Sequence, residues 1–453
     1  MPEEFDVVCL GAGPAGEGLA SELKGSGLTL AVVEANKVGG ECPYWGCVPS
    51  KTMLRSAEIL AEAGRAIEFS VSEIDYTVDY GKIRRRVLDS ARGVDDTKSA
   101  KGLEATGARL FRGDGRLTGP RTVVVGDTEL VARKAVVVAT GTRPAVPDLP
   151  GLDSVDFWTN HEVLFAPEQP ASMIVLGAGP AGVEIGQAFQ RFGTSVTMIE
   201  NAPRVLSTEE PEAGDYVQGY LQEEGMNIIC NCGVDKVGSG GDGIIVHRSS
   251  ADEVTAERLL VSVGRKPNSE GLDADVAGIK IDKRGFVEVD GETLQAGDGI
   301  YAAGDINGIG GFTHLSDYQG HVIGRRIKGI DARANHVAIP RVTYCDPEVA
   351  SVGISEAQAR EKGINVKVVH GDVANDTRGW IHGKPGGVIK VIADADRRVL
   401  VGATLVGPRS GELLNEISLA LRTDASLDLL ADLIHPFPSF GRIFQYLFHE
   451  LAS

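Results

Sequence analysis

The chain of 453 residues contains no uninterrupted apolar run of about 18 residues, no basic stretch leading into an apolar one at its start, and only six cysteines. The first absence argues against a membrane-spanning helix and the second against a secretory leader, so a cytoplasmic location without a membrane partner is expected. Six cysteines over this length do not make a secreted disulfide framework, and in a reducing compartment a close pair is more often catalytic or metal-binding. Basic residues are also short: 45 Lys and Arg stand against 63 Asp and Glu, a formal net charge of -18. Binding a phosphate backbone or an anionic membrane needs clustered cations, so no nucleic-acid partner is expected. Nothing in the composition suggests disorder, and the length fits about three globular domains.

What is present is a repeat. Leu10-Gly-Ala-Gly-Pro-Ala-Gly16 recurs letter for letter at Leu176 to Gly182. Each copy follows an apolar run, Val7 to Leu10 or Met173 to Leu176, that reads as a buried strand, and each precedes helical periodicity. Gly11 and Gly177 permit the tight turn. Gly13 and Gly179 let the backbone approach a pyrophosphate, and Gly16 and Gly182 let helix and strand pack closely. A second apolar strand then ends in an acid, Glu34 or Glu200, placed to accept from a ribose diol. Glu34 lies 18 residues beyond Gly16, and Glu200 lies 18 beyond Gly182. The shared offsets predict two dinucleotide sites.

Cys42 and Cys47 lie between the first glycine motif and the rest of its domain. Five residues of regular helix would separate their Cα atoms by about 7.5 Å of rise, beyond the roughly 7 Å a disulfide tolerates. A redox pair therefore needs a bend, which Pro43 and Gly46 allow. A helix starting around Cys47, with Pro49 in its first turn, would place that thiol at a positive dipole end and favour its thiolate. Zinc is the alternative, but it lacks a second ligand pair at sensible spacing; Cys230 and Cys232 lie far along the chain and read as structural, as do Cys9 and Cys345. No metal is expected.

The run Gly39-Gly-Glu-Cys-Pro-Tyr-Trp-Gly-Cys-Val-Pro-Ser-Lys51 resembles the redox-active segment of the class I flavoprotein disulfide reductases, the family of dihydrolipoamide dehydrogenase, mercuric reductase and glutathione reductase. Further stretches are similar to that family's motifs: Val137 to Gly141, where the flavin domain hands over; Val263 to Asn268, the return crossing; Ile300 to Asp305, the second flavin motif; Thr313 to Gly320, the helix start under the flavin; and Tyr344 to Gly353, the first strands of the dimerisation domain.

The resemblance implies an α/β chain with two Rossmann-like dinucleotide-binding domains and a C-terminal α+β dimerisation domain. FAD would occupy residues 1–150 and 270–335, NAD(P)H residues 151–269, and the interface residues 336–453. Gly11, Gly13, Gly16, Glu34, Gly141, Asp305 and His314 are implied contacts of FAD, with Gly177, Gly179, Gly182, Glu200 and Gly264 completing the cofactor set. It further implies hydride passing from NAD(P)H to FAD and on to a Cys42–Cys47 disulfide, with Cys47 flavin-proximal and Cys42 facing a small-molecule or protein-bound disulfide. Lys51 and Glu184 match an ion pair beside the flavin. Glu200 would repel the extra phosphate of NADPH, so NADH is expected over NADPH, although Arg204 is near enough in sequence to accommodate one. Pro180 stands where some members carry a tyrosine lid. The implied assembly is a homodimer in which each C-terminal segment completes the partner's site.

That segment departs from the pattern. Members that exchange dithiols usually carry His-Pro-x-x-x-Glu as an acid/base pair, whereas this chain reads Leu433-Ile-His-Pro-Phe-Pro-Ser-Phe-Gly-Arg442. Aligned on Pro438-Ser439, Phe437 and Arg442 take the histidine and glutamate places. Aligned on His435-Pro436, the carboxylate place is Phe440, and no acid orients the imidazole. A C-terminal cysteine pair, used by mercuric reductases, is not seen either. The expected function is thus an NAD(P)H-dependent disulfide oxidoreductase like dihydrolipoamide dehydrogenase but without the usual acid/base pair. A quinone or dye reductase working directly from flavin, and a non-catalytic lipoyl-domain-binding subunit, are the alternatives.

Overall fold

The computed structural model describes residues 1–241, 243–249, 252–383 and 386–453. The backbone divides into two compact units, one of Met1–Pro49, Leu88–Ala145 and Arg265–Asn335, the other of Ser50–Val87, Val146–Gly264 and His336–Ser453.

The first unit is built on an eight-stranded sheet. Strand Glu3–Leu10 sits between Leu30–Glu34 and Thr128–Val138, parallel to both, with Leu10 opposite Val33 and Val138. Strands Arg109–Arg112 and Ile300–Ala302 extend the parallel set on either side. The unbroken run Val7 to Leu10 is what a strand covered on both faces requires. Val7 and Cys9 join the cluster under helices Pro14–Leu23 and Thr313–Ile327, while Val8 and Leu10 face the opposite cluster with Leu117 and Val123. Those two helices cross in close contact. A Cβ on Gly320 would lie 2.2 Å from the Ala15 carbonyl oxygen, and one on Gly18 2.6 Å from that of Asp317.

The second unit repeats the motif in a four-stranded parallel sheet ordered Asn227–Ile229, Ser195–Ile199, Ser172–Leu176, Arg258–Val261. A three-stranded antiparallel sheet lies beside it in the chain. Residues from 341 to 407 form a five-stranded antiparallel sheet. One face of this sheet, with Ala350, Val391 and Leu405, buries Leu414 and Ile417 of helix Ser410–Thr423 and Phe444 and Phe448 of helix Arg442–Ala452. The apolar positions of the last helix recur at i, i+1, i+4 and i+5 (Ile443, Phe444, Leu447, Phe448), an amphipathic stripe facing that sheet. Among the described residues no helix is long and apolar enough to cross a membrane.

Candidate active site

The two glycine motifs fold alike, and their glycines divide into two kinds. Gly11 has φ +111, and a Cβ there would lie 2.1 Å from the Ala139 carbonyl oxygen; one on Gly16 would lie 2.3 Å from that of Gly11. Gly177 and Gly182 repeat this, at 2.4 Å from the Ser262 oxygen and 2.1 Å from the Gly177 oxygen. These four are bare because the chain itself fills the space. Gly13 and Gly179 are different: their φ of -74 and -73 suits any residue, the atom nearest a Gly13 Cβ is 3.7 Å away, and a Gly179 Cβ meets nothing within 4 Å. Both glycines cap helices, Pro14–Leu23 and Pro180–Phe192, whose first amides receive no side-chain cap. Open space before uncapped helix amides can receive a diphosphate.

Each acid closes its motif in the same way. Glu34 Oε2 accepts the Ala12 amide at 2.7 Å and Oε1 the Asn36 amide at 2.7 Å. Glu200 Oε2 accepts the Ala178 amide at 2.6 Å and Oε1 the Ala202 amide at 2.7 Å. Each carboxylate oxygen retains a second lone pair for a ribose hydroxyl. Burial pushes the Glu34 carboxyl above its usual range, against those amide bonds. Arg204 directs its stem onto helix Pro211–Glu223, where a Cβ on Gly214 would come 2.8 Å from the Arg204 Cδ.

The other cofactor-associated positions are also defined. Asp305 opens a short helical turn and accepts from the Thr142 hydroxyl at 2.8 Å. Gly141 holds φ +66, its carbonyl accepts the Asn268 amide at 3.0 Å, and the strands Thr142–Pro144 and Arg265–Pro267 pair antiparallel just beyond. Gly264 holds φ +122, a conformation reserved for glycine. His314, in the first turn of helix Thr313–Ile327, stacks on Phe312 with centroids 5.5 Å apart.

Residues 41–46 form the bend that the cysteine spacing requires, and the helix Cys47–Gly64 starts at the second cysteine with Pro49 in its first turn. Gly46 lets the chain fold back: a Cβ there would sit 3.3 Å from the Cys42 Cα. Cys42 is half-buried and Cys47 is exposed, with no disulfide between them. A hydrogen bond with Cys47, followed by burial, pushes the Cys42 thiol well up, while Thr313 pulls the other way. The Cys42 thiol therefore keeps its proton more firmly than an ordinary cysteine. The Thr313 hydroxyl lies 3.4 Å from the Cys47 sulfur, a partner that spacing alone did not single out. The remaining cysteines have no such setting: burial raises the Cys9 thiol to about 12 and the Cys345 thiol well above normal. Cys230 is raised by burial as well. Among the described residues no three His, Cys, Asp or Glu side chains are placed to hold a metal.

In the second unit Lys51 Nζ donates to Glu184 Oε2 at 2.7 Å. Glu184 is nearly buried, its side chain 4% exposed against 34% for Lys51. Its other oxygen accepts the Tyr344 amide at 2.8 Å, and the Lys51 ammonium lies 5.1 Å over the Tyr344 ring. The carboxylate is fixed from two sides and the ammonium stays accessible.

The C-terminal segment corrects one expectation. His435 does have an orienting carboxylate: its Nε2 lies 3.1 Å from Glu416 Oε1, contributed by helix Ser410–Thr423, 19 residues upstream and outside any local motif. His435 is buried and its Nδ1 is enclosed without a partner, so neither ring nitrogen faces outward. The pair ties the segment to the helix. Phe437, 64% exposed, and Tyr446, 57% exposed, instead flank Arg442, whose guanidinium carbon lies 5.2 Å and 5.7 Å from their ring centres. The cation is held at the surface between two aromatic faces.

Two nucleotide cradles and a bent dithiol define a pyridine nucleotide-dependent flavoprotein of the disulfide-reducing class. The chain belongs to the pyridine nucleotide-disulphide oxidoreductases: residues 5–322 match that family's model and residues 339–447 its dimerisation domain, which supports a homodimer. It is 32% identical over 463 residues to a dihydrolipoyl dehydrogenase of Mycobacterium tuberculosis, covering 99% of this chain and 98% of that one. To a mercuric reductase of Staphylococcus aureus it is 30% identical, covering 96% of this chain and 80% of the relative. Its fold matches the HOCl-induced flavoprotein disulfide reductase RclA from Escherichia coli with a TM-score of 0.86 at 26% identity, over 98% of this chain and 99% of that one. FAD and NAD(P)H are therefore its cofactors, and the enzyme class is that of the NAD(P)H-dependent flavoprotein disulfide oxidoreductases.

Proposed function

We propose that the Cys42–Cys47 dithiol delivers electrons to a disulfide acceptor, and that the pair manages its own proton in place of a His-Glu dyad. The assignment follows three regions: residues 1–150 and 270–335 for FAD, 151–269 for the nicotinamide nucleotide, and 336–453 for the dimer contact. Bound along the loops of Gly11 and Gly177, FAD supplies a two-electron carrier and NAD(P)H the reductant. Glu34 and Asp305 would hold the first and Glu200 the second, and the Lys51 ammonium, fixed by Glu184, is a positive charge of the kind that stabilises a reduced flavin.

The bent dithiol carries the proposal. In the reduced pair the Cys42 thiol, pushed up by the hydrogen bond with Cys47 and by burial, keeps its proton, and Cys47, at the first turn of helix Cys47–Gly64, is the sulfur to carry the negative charge. Transfer of the proton to Cys47 frees the Cys42 thiolate, which attacks one sulfur of the acceptor disulfide and expels its first thiolate. That leaving group takes the proton back from Cys47. The Cys47 thiolate then attacks the Cys42 sulfur, releasing the second thiolate and closing the Cys42–Cys47 bond. One disulfide is reduced and one formed. No external base enters, so the exchange is fastest when the acceptor's thiols are acidic and leave readily.

Phe437 and Arg442 support the same acceptor class. A phenyl ring shuttles no proton, and a guanidinium between two rings favours an anionic acceptor over neutral lipoamide. Activity with free dihydrolipoamide should be weak, and Phe437→His with Arg442→Glu together should raise it at least about tenfold, a typical yield of positioned acid/base groups. Strong lipoamide turnover that this double change leaves alone would mean another group handles the proton.

Glu200 supports NADH as the preferred reductant, since its carboxylate stands at the ribose end of the second cradle and Arg204 packs away onto Gly214. The ratio of kcat/KM for NADH over NADPH should exceed one and fall at least about tenfold in Glu200→Gln, the loss of charge-assisted hydrogen bonding. A ratio below one in the parent enzyme, reversed on changing Arg204, would assign the specificity to the arginine.

A further inference from the structure

Glu41 stands directly before Cys42, and its Oε2 accepts from the Arg265 guanidinium at 2.5 Å. Arg265 comes from strand Arg265–Pro267, 224 residues along the chain. Its Nη2 also donates to the Thr142 carbonyl at 2.8 Å and its Nε to the Thr142 hydroxyl at 2.6 Å. That hydroxyl donates in turn to Asp305 at 2.8 Å. The guanidinium is therefore fixed from three sides, with one carboxylate at each end: Glu41 in contact and Asp305 3.9 Å away.

The loop does not need this ion pair for its shape. The Gly39 amide donates to the Ala12 carbonyl at 2.7 Å, and the Trp45 amide to the Glu41 carbonyl at 2.8 Å. Tyr44 is fully buried, with its hydroxyl donating to the Val38 carbonyl at 2.9 Å. What Glu41 and Arg265 add is charge, half-buried, with side chains 25% and 36% exposed, where solvent screens it only in part.

We propose that Arg265 and Glu41 are a positioning pair that sets the redox balance of the Cys42–Cys47 dithiol, the arginine neutralising a carboxylate that would otherwise oppose the charge created by reduction. Reduction takes two electrons and leaves one proton on the two sulfurs, so the loop gains one negative charge. With Arg265 present, Glu41 is balanced. Without it the carboxylate repels the new thiolate and the oxidised form gains. Without Glu41 the guanidinium keeps only Asp305, 3.9 Å away, the negative charge beside the loop falls by one, and the reduced form gains. The two single changes therefore act in opposite directions, which damage to the loop would not do. The inference rests on Cys42 and Cys47 being the redox pair.

The test is equilibration of the purified, FAD-loaded enzyme with dithiothreitol or glutathione buffers, acid quenching, alkylation and mass measurement of the peptide containing Cys42 and Cys47. Arg265→Met should lower the equilibrium constant for reduction about tenfold, a shift of about 30 mV to more negative potential for a two-electron couple. Glu41→Gln should raise it by a similar factor. The double variant should return to within about twofold of the parent, and Arg265→Lys should retain most of the parent value. Melting temperature and FAD content, measured alongside, identify a variant that has lost its fold; the opposite sign for Glu41→Gln then stands as the deciding result. Equal constants in all variants, or both single changes moving the same way, overturn the proposal. A peptide that forms no Cys42–Cys47 bond even in the most oxidising buffer overturns the underlying dithiol assignment and this inference with it.

Discussion

Cys42→Ser should lose NADH-dependent reduction of disulfides by at least about a thousandfold, the order expected when the attacking nucleophile is removed, while keeping reduction of quinones or dyes within about twofold. The serine hydroxyl cannot exchange with a disulfide; Cys47 alone could form a mixed disulfide but has no neighbouring thiol to resolve it, and the remaining cysteines are not equipped to help. Cys9 and Cys345 are buried and held protonated, and Cys230 and Cys232 lie in the second unit, away in the chain from both motifs of the first. Steady-state assays of the two acceptor types on one preparation separate the outcomes. If both activities survive, electrons leave directly from the flavin and the enzyme is a quinone or dye reductase. If both fall together, the substitution has disturbed the FAD site, and absorbance of bound flavin shows it.

Gly179→Val carries the second large effect. The chain leaves that position empty, with no atom within 4 Å of a Cβ and a φ of -73 that valine adopts freely. The fold and FAD content should therefore be unchanged, while two methyl groups fill the space before the first amides of helix Pro180–Phe192. Losing the diphosphate's bonds there, roughly 3 kcal/mol, raises KM for NADH about a hundredfold. Gly182→Val is the contrast. Its Cβ would lie 2.1 Å from the Gly177 oxygen, so it should lower the melting temperature before any question of NADH binding arises. A Gly179→Val enzyme that binds NADH normally would show that the cradle holds something else.

The nucleotide loops are legible in the sequence because every determinant is local. Gly11, Gly13 and Gly16 fall within one strand-turn-helix unit, and the acid follows at the end of the next strand, so spacing alone fixes geometry. The dithiol bend is legible for the same reason: Pro43, Gly46 and Pro49 mark the turn and the helix start. The resemblance to a known family carried the inference further, to Lys51 and Glu184, which lie 133 residues apart and yet form a 2.7 Å ion pair. Where partners are distant and no motif joins them, the sequence is silent. Glu416 meets His435 only because helix Ser410–Thr423 packs on the five-stranded sheet, and the residues that follow the histidine locally hold no carboxylate. Arg265 reaches Glu41 only because the strand carrying it returns to pair with Thr142–Pro144. The exposed sandwich of Phe437, Arg442 and Tyr446 was half visible: the residue types were plain, but their stacking depends on where the last helix begins.

The most direct test of electron flow through the dithiol is an anaerobic titration of the oxidised enzyme with NADH, with thiols trapped by alkylation at each point and located by mass spectrometry. Cys42 and Cys47 should become alkylatable together, before any disulfide acceptor is added, while Cys9 and Cys345 remain unlabelled. Bleaching of the flavin with the Cys42–Cys47 bond still intact at excess NADH would contradict it.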